Sequence, residues 1–541
     1  MITGRATAVA SRSAETGTDR AVPDWTCGDR SIVRTVSLAK VLAVTQSRPA
    51  LGHARSIRRR IACAWGRLLA LDVEGAIALV RLAELDLSGV EAPLSAELRT
   101  RITIIRAAAA AWTDDFATSL AFAQRALPGR GAAPGPSIAV ILCRLAHWKL
   151  GHLGPFYAMK AHATEVAGPR GADLLVLDRS IEAASELQRL RLGVAGILAS
   201  QALSLTRRAR RRRIAATDLF PVVLQAQLHY ERGDLPEAED TCRKALSVLK
   251  ATGPAEAAIR LFILLAKVEA HRLHTDYALL ILREGEALGR SRGWERLVAA
   301  CVQECVEVLV HCGRIDEAQD CLARTVAWLA PDTVSRPARP AVHMHLHLAG
   351  ARIALATAPS AGIVLNLRLL HHEAAAGGDL YLALRLAIRV AEALEATGET
   401  AEASETLARC LDLGASAGLY QSFIDGGPVI GRLLARFLDQ SGEGEEDRQH
   451  LRLYVESILS GWRSVDGERR LVKSLKSSGC LSPRECTILR LYRRGESTKG
   501  VARQLTISPE TVKSHAKHIF VKLSAQSRTE AVQKAEHLGL I

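Results

Sequence analysis

From about residue 55 onward, apolar side chains recur at helical spacing, and short polar turns separate the apolar stretches. After the turn near Gly233, one stripe is formed by Ala238, Cys242, Ala245, Leu246 and Leu249. The same layout returns as Ala318, Cys321, Leu322, Thr325, Val326 and Leu329, and again as Ala403, Thr406, Leu407, Cys410 and Leu411. Spacings of three, four, seven and eight residues place such side chains on one face of a helix. The pattern therefore predicts amphipathic helices that each bury a single stripe.

These helices recur with a nearly constant period. A small residue that opens each predicted second helix is found at Ala76, Ser119, Ala158, Gly196, Ala238, Ala278, Ala318, Ala361 and Ala403, in steps of 38 to 43 residues. A period near 40 residues is typical of stacked helix pairs, because one hairpin cannot bury its apolar face alone. We therefore predict up to nine helical hairpins between residues 55 and 420, in an all-α, TPR-like solenoid.

The domain organisation follows from changes in this rhythm. Residues 1–50 are polar and weakly periodic, and are predicted to form an extension that ends in a helix around 37–46. Residues 51–460 are assigned to a helical-repeat domain that senses a signal or binds a partner. A short helix around 451–459 precedes a predicted linker at 461–479, and residues 480–541 form a separate module.

The C-terminal module is predicted to contain four short helices. Ser482 to Glu485 and Ser527 to Glu530 each have the pattern of a capping box, which starts the first and the last helix. A second helix covers about 498–505, and a third is opened by Ser508 and Pro509. The predicted core residues are Cys486, Leu489, Leu491 or Tyr492, Val501, Ala502, Leu505, Val512, Ala516, Ile519, Leu523, Ala531, Ala535 and Leu538. A three-residue turn between the second and third helices is typical of a helix-turn-helix module.

The outer face of the third helix is cationic. It carries Lys513, Ser514, Lys517 and His518, while Ser508 and Thr511 stand at its start, where backbone amides favour phosphate. Lysine side chains reach guanine acceptors and phosphates, so this face is suited to the major groove of DNA.

Over about 55 residues without a gap, LSPRECTILRLYRRGESTKGVARQLTISPETVKSHAKHIFVKLSAQSRTEAV resembles the LuxR-type C-terminal DNA-binding domain. The resemblance implies that Lys513, Ser514 and Lys517 touch base edges and that Thr511 touches the backbone. It also implies that the last helix often supplies a dimer contact. Combined with the outer face described above, the predicted DNA-binding residues are Lys499, Ser508, Thr511, Lys513, Ser514, Lys517, His518 and Lys522.

Two further comparisons refine this resemblance. Gly500 stands where family members usually carry Glu, Gln or Asp, and glycine inside a helix costs about 1 kcal/mol relative to alanine. The segment GLYQSFIDGGPVIGRLL at 418–434 resembles the end of the repeat region in large MalT-like LuxR-type regulators, which place a STAND-class ATPase ahead of the repeats. This sequence has no G-x-x-x-x-G-K-[ST] motif, so we expect neither a nucleotide switch nor any other cofactor.

Composition narrows the classes of protein further. The chain is 48% hydrophobic but has only 8 Phe, 7 Trp and 7 Tyr, which favours close helix packing over sheet. The net charge of +14 is concentrated in two places: eleven Lys or Arg against five Asp or Glu in 480–541, and six arginines in 207–213. No stretch is long and apolar enough to predict a membrane span, and the first residues lack the apolar core of a signal peptide. We therefore expect a cytoplasmic protein with reduced thiols.

Three clusters have alternative interpretations. The arginine run Arg207–Arg213 is either an anion-binding site or a solvated helix end. Cys301, Cys305 and Cys312 share a predicted face with apolar residues, which favours packing over a metal or redox site. The histidines His343, His345 and His347 lack a Cys or carboxylate partner at matching spacing, so an exposed helix face is favoured over a metal site. No catalytic constellation stands out, so an enzyme is not expected.

The sequence thus predicts a bacterial, sequence-specific regulator of transcription that binds double-stranded DNA as a homodimer. The repeat domain is expected to bind a small molecule or a partner protein. This binding is expected to release the DNA-binding module from an inhibitory contact with the repeats. The alternative is a protein-interaction scaffold whose helix-turn-helix module does not bind DNA productively.

Overall fold

The computed structural model describes residues 52–127 except 71 and 91, 138–159, 169–207, 214, 216–329, 340–440, 446–477, 483–505, 507–523 and 525–537. The predicted N-terminal extension, with its helix at 37–46, and positions 208–213 of the arginine run lie outside these residues. Among the helices that are described, none combines the length and the apolar character that crossing a membrane requires.

Nine helical hairpins follow one another along the described part of the chain. Their first helices are α1 (Gly52–Leu69), α3 (Ala92–Trp112), α5 (Ile138–Lys149), α7 (Pro169–Gln188), α9 (Leu219–Glu231), α11 (Ala255–His271), α13 (Glu295–His311), α15 (Pro340–Thr357) and α17 (Leu380–Thr397). Their second helices are α2 (Val73–Leu85), α4 (Phe116–Arg125), α6 (Leu153–Ala158), α8 (Leu192–Arg207), α10 (Leu235–Thr252), α12 (Thr275–Arg292), α14 (Ile315–Leu329), α16 (Ala361–Ala376) and α18 (Thr400–Ala417). The all-α, TPR-like repeat fold is confirmed.

The residue that sets the repeat register is the fourth of each second helix. In chain order these residues are Ala76, Ser119, Phe156, Ala195, Ala238, Ala278, Ala318, Val364 and Ala403, and all of them are buried. The predicted positions Ala158 and Ala361 are wrong, because both are exposed, and Gly196 is one residue out of register. Those assignments favoured a small side chain, whereas α6 and α16 bury a large one at this position.

The turns inside the hairpins have a common backbone geometry. In seven of them a residue with positive φ stands two positions before the second helix: Asp114, Gly151, Leu190, Gly233, Leu273, Gly313 and Gly398. The left-handed conformation is unfavourable for a residue with a branched side chain such as leucine. At φ 64°, Leu273 is therefore held in place by its surroundings, and its position matters for the contact described below.

Three further helices close the array: α19 (Gln421–Ile424), α20 (Gly427–Gln440) and α21 (Glu446–Ser477). The prediction of a short helix and a linker at 461–479 differs from the structure, in which α21 continues to Ser477. Residues 468–476, with sequence ERRLVKSLK, are mostly good helix formers, and a single glycine at 467 lowers helix stability by only about 1 kcal/mol.

Glycines let α21 pack closely against the closing segment, which is residues 418–440 and contains α19 and α20. A Cβ on Gly461 would collide with the Tyr420 hydroxyl, and a Cβ on Gly431 would collide with the Trp462 ring. Leu451, Val455, Ile458, Leu459 and Trp462 of α21 belong to the same core cluster as residues of α7 and α17.

The hairpins wind into a superhelical turn whose early and late repeats touch. The indole of Trp294 donates to the carbonyl of Trp112 (3.1 Å), and Arg296 binds both carboxylate oxygens of Asp114 (2.9 and 3.0 Å). Lys149 meets Glu256 at 2.9 Å. These pairs join residues more than 100 positions apart, so they bring the inner surfaces of early and late repeats into contact.

The closing segment is fastened inside this turn by Asp425. Its carboxylate accepts hydrogen bonds from Lys267 (2.7 Å) and from Tyr230 (2.9 Å), and it pairs with His271 (2.8 Å). Burial alone would raise the pKa of Asp425, but Lys267 and the hydrogen bond with His271 hold it well below its usual value of 3.8. The ionised carboxylate thus links the end of the array to α9 and α11.

We predict that Asp425→Asn destabilises the protein by about 3–5 kcal/mol at neutral pH, because it leaves the Lys267 charge buried without its partner. Since the folded-state pKa of Asp425 is lowered, its contribution is present above pH 3.8 and is lost as the pH falls below that value. Urea unfolding followed by circular dichroism at several pH values measures the difference between the variant and the wild type.

Asp412→Asn on the exposed face of α18 is the matched control, and should shift stability by less than about 0.5 kcal/mol. A difference between wild type and Asp425→Asn that stays constant between pH 7 and pH 3 would contradict the role assigned to the ionised Asp425.

Candidate nucleic-acid interface

The C-terminal module consists of α22 (Pro483–Arg493), α23 (Thr498–Gln504), α24 (Pro509–Lys522) and α25 (Arg528–His537). Its core contains Ile488, Leu489, Leu491, Tyr492, Val501, Ala502, Val512, Ala516, Ile519, Leu523, Ala525, Ala531 and Ala535. Most of the predicted core residues are among them. Cys486 and Leu505 are only partly buried, and Leu538 lies outside the described residues.

Local hydrogen bonds start the last two helices where the sequence places them. The Ser508 hydroxyl accepts from the backbone N–H of Thr511 (3.0 Å) and caps α24. Before α25, the hydroxyl of Ser527 accepts from the N–H of Glu530 (3.1 Å), and the Glu530 carboxylate accepts from the N–H of Gln526 (2.9 Å). This reciprocal arrangement is close to that of a capping box.

Side-chain contacts between helices set the orientation of α24 in the module. Lys522 at its end binds the buried carboxylate of Glu485 on α22 (2.8 and 3.0 Å). Arg484 donates to the carbonyl of Leu505 at the end of α23 (2.6 Å). The C-terminal end of α24 and the end of α23 are therefore both fixed to α22, which gives the exposed face of α24 a defined direction.

That exposed face carries the residues expected to contact DNA. Lys513, Ser514, Lys517 and His518 are exposed. The opposite face of α24 is buried in the core. Lys513 has 64% of its side chain exposed and pairs with Glu510 at 2.7 Å. Surface pairs of this kind contribute at most about 1 kcal/mol, so Glu510 does not prevent Lys513 from reaching an anion.

The remaining predicted contact residues occupy different environments. Lys499, Ser508 and Thr511 are exposed, but the hydroxyls of Ser508 and Thr511 lie 2.8 Å apart and bond to each other. Lys522 is engaged with Glu485, so the structure gives it an intramolecular partner that the sequence analysis missed. Its DNA contact and those of the other seven residues stay predictions.

Gly500 lies inside α23 without distorting it. Its N–H donates to the Ser497 hydroxyl that caps the helix (3.1 Å). A Cβ at this position would displace the carboxylate of Glu496, which accepts a hydrogen bond from Gln504 at 2.8 Å.

The structure places the members of the histidine cluster and of the cysteine cluster in different environments. His343 and His347 are exposed, whereas His345 points inward and bonds Gln303 at 2.6 Å. Burial lowers the pKa of His345 to about 4, with help from the positive charges of Arg296 and Arg385. Cys301 and Cys305 are buried, but Cys312 is exposed and does not share their environment. Among the described residues, no three His, Cys, Asp or Glu side chains are grouped to hold a metal ion.

The structure also shows a cavity that the sequence did not indicate. A space of about 250 Å³ lies among the first helices of the fourth to ninth hairpins, and its lining includes Glu304, Tyr381 and Arg385. In sequence these residues look like the polar face of an exposed helix, so no local pattern distinguishes them.

Two family comparisons match separate parts of the chain. Residues 100–440 match the family described as "MalT-like TPR region". Residues 479–535 match the family described as "Bacterial regulatory proteins, luxR family". Helix α21 lies between the two matches.

Individual relatives cover shorter stretches. The HTH-type transcriptional regulator MalT of Vibrio cholerae serotype O1 is 30% identical over 152 residues, which is 26% of this chain and 17% of that protein. The nitrate/nitrite response regulator protein NarL of Escherichia coli K12 is 47% identical over 51 residues, or 9% of this chain and 24% of that protein. The chain thus spans less than a fifth of the length of this MalT relative.

Among solved structures, a Rap protein complexed with competence and sporulation factor aligns with a TM-score of 0.51 at 12% identity. The alignment covers 67% of this chain and 99% of that one, and shows a shared helical-repeat fold. The family match over residues 100–440, the second match at 479–535 and the helix-turn-helix geometry agree with one another. The chain belongs to the MalT-like family of LuxR-type transcriptional regulators.

Proposed function

We propose that the protein is a sequence-specific DNA-binding regulator in which α24 enters the major groove. The observation that supports this is the exposed row formed by Lys513, Ser514 and Lys517, opposite the buried Val512, Ala516 and Ile519. Lys513 and Lys517 lie one helical turn apart on the same face. Lysine and serine at those positions reach base-edge acceptors and phosphates when the helix lies in the groove.

DNA binding by a homodimer fits the size of the module. One helix-turn-helix unit offers a small contact area, and two units bound to half-sites about one helical turn of DNA apart increase both affinity and sequence discrimination. The last helix, α25, is the expected dimer contact.

The repeat domain is proposed to sense a small molecule or a partner and to control access to DNA. Leu273 supports this coupling, because the side chain of this strained turn residue packs against the core of the helix-turn-helix module. The same left-handed turn recurs in other hairpins, so the contact and not the backbone conformation supports the coupling. A solved Rap protein with a similar repeat fold is complexed with competence and sporulation factor.

The rival proposal is an interaction scaffold with a non-productive helix-turn-helix module, and Gly500 is the feature that favours it. Because α23 is capped and its residues Val501 and Ala502 are buried normally, we favour the DNA-binding regulator.

Replacing Lys513 or Lys517 with alanine tests directly whether α24 contacts DNA. Each substitution is expected to weaken binding by about 1–3 kcal/mol and to reduce the salt dependence of the affinity. The measurement is a gel-shift or fluorescence titration with a DNA fragment that the full-length protein selects from a random pool.

Lys244→Ala on the exposed face of α10 removes the same charge outside the module and should change the affinity much less. Equal losses for all three variants would indicate general attraction to DNA, and no loss for any of them would support the scaffold.

Gly500→Ala should stabilise the C-terminal module by about 0.5–1 kcal/mol, because alanine loses less backbone entropy in a helix. The Glu496 side chain has to move aside, which its flexibility allows. We expect the same DNA affinity as the wild type within twofold. If the wild-type protein fails to select DNA and only Gly500→Ala binds it, the scaffold proposal is correct.

Leu273→Asn tests the proposed inhibitory contact between the repeat domain and the helix-turn-helix module. Asparagine tolerates the left-handed conformation and removes the apolar contact. Loss of about 1 kcal/mol of apolar burial should raise DNA affinity roughly fivefold. Leu365→Asn, on an exposed part of α16, is the control and should leave the affinity unchanged. An unchanged or lower affinity for Leu273→Asn would rule out an inhibitory contact at this turn.

A further inference from the structure

The cavity of about 250 Å³ is built from one type of element. Its walls come from the first helices α7, α9, α11, α13, α15 and α17, with Lys149 at the end of α5. A liquid water occupies about 30 Å³, so this space accommodates a ligand of roughly ten non-hydrogen atoms.

Four of the five Lys and Arg side chains that line this cavity form ion pairs with carboxylates. Lys149, Arg296 and Arg260 surround Glu256 at 2.9, 2.9 and 3.1 Å. Their charges hold the pKa of Glu256 well below its usual value although burial alone would raise it. Lys267 is bound by Asp425 at 2.7 Å.

Arg385 is the exception. Its guanidinium forms no hydrogen bond or ion pair within the described part of the chain, and it packs over the ring of Tyr381, 5.9 Å from the centroid. Two nearby carboxylates are engaged elsewhere: Glu231 accepts from Tyr381 and Ser422, and Asp425 is bound by Lys267. Glu304, Asp425 and Glu231 favour the charged form of Arg385 from a distance, but its N–H donors have no acceptor among the described side chains.

The wall shared by α11 and α15 is apolar. Ile259, Ile263, Met344 and Leu348 line the cavity there. The cavity therefore combines one free planar cation with an apolar surface, an arrangement typical of sites that orient a small organic anion by a single charged group.

We propose that this cavity binds a small organic carboxylate, with the carboxylate paired bidentately to Arg385 and the apolar body against Ile263 and Met344. A monoanion is favoured over a phosphate dianion because Glu304 and Glu231 lie nearby and repel additional negative charge. This inference rests on the proposed sensing function and specifies the chemical class of the effector.

The test is isothermal titration calorimetry on the full-length protein with isovalerate and phenylacetate as probes. Isovaleramide and phenylacetamide have the same shapes without the charge, and inorganic phosphate tests the alternative anion. At least one carboxylate should bind with millimolar or better affinity, and its amide should bind at least tenfold more weakly. Binding of phosphate in preference to both carboxylates, or binding of neither carboxylate, overturns the proposal.

Arg385→Gln is expected to weaken carboxylate binding ten- to a hundredfold, because a charge-assisted bidentate pair is lost. Without ligand, the melting temperature of this variant should stay close to that of the wild type, since Arg385 makes no direct ion pair and only its longer-range attraction to Glu304 and Glu231 is lost. A purely structural arginine would give the opposite result, a lower melting temperature and unchanged binding. Arg368→Gln removes an exposed arginine of α16 and should change neither quantity.

DNA affinity, measured on the same preparations, separates this proposal from the proposed function. Failure of carboxylate binding with intact, Lys513-dependent DNA binding overturns the cavity assignment alone. Carboxylate binding that depends on Arg385 in a protein that does not bind DNA supports the cavity site and overturns the proposed function.

Discussion

The organisation of the repeat domain depends on one ionised carboxylate in its interior. Asp425 joins a segment near the end of the array to Lys267, His271 and Tyr230, about 150 to 195 residues earlier. Burying a charge is favourable only when partners surround it on all sides, so this contact requires that the hairpins complete a superhelical turn. The cavity follows from that closure, because Tyr230 and Lys267, which bind Asp425, are also part of its lining.

Local patterns were sufficient to predict the elements of the fold. The i, i+3, i+4 stripes located the hairpins, and the capping sequences placed α24 and α25, because these signals act within a few residues of the backbone that they shape. The repeat register was less accurate at α6 and α16, where Phe156 and Val364 replace the usual small residue. The repeat register was assigned from small side chains, so it could not identify a position that holds a larger one.

Contacts between distant repeats could not be read from the sequence. The pairs Trp294 with Trp112 and Arg296 with Asp114 link residues 182 positions apart, and neither has a local pattern. The same limit applied to Arg385, since a charged residue on an inward face has the same helical spacing as one on an outward face. In the helix-turn-helix module the converse holds: its core is local, and the exposed face of α24 was evident before the fold was known.

The unbroken helix α21 has a mechanical consequence. Trp462 is embedded in the core that also contains parts of α7 and α17, and the helix continues for fifteen residues to Ser477. At 1.5 Å per residue, those fifteen residues span about 22 Å, so tilting the helix by about 5° at Trp462 displaces Ser477 by about 2 Å. A continuous helix of this length converts a small repacking of the repeat interior into a shift of the order of a hydrogen-bond length at the end from which the chain continues to the C-terminal module.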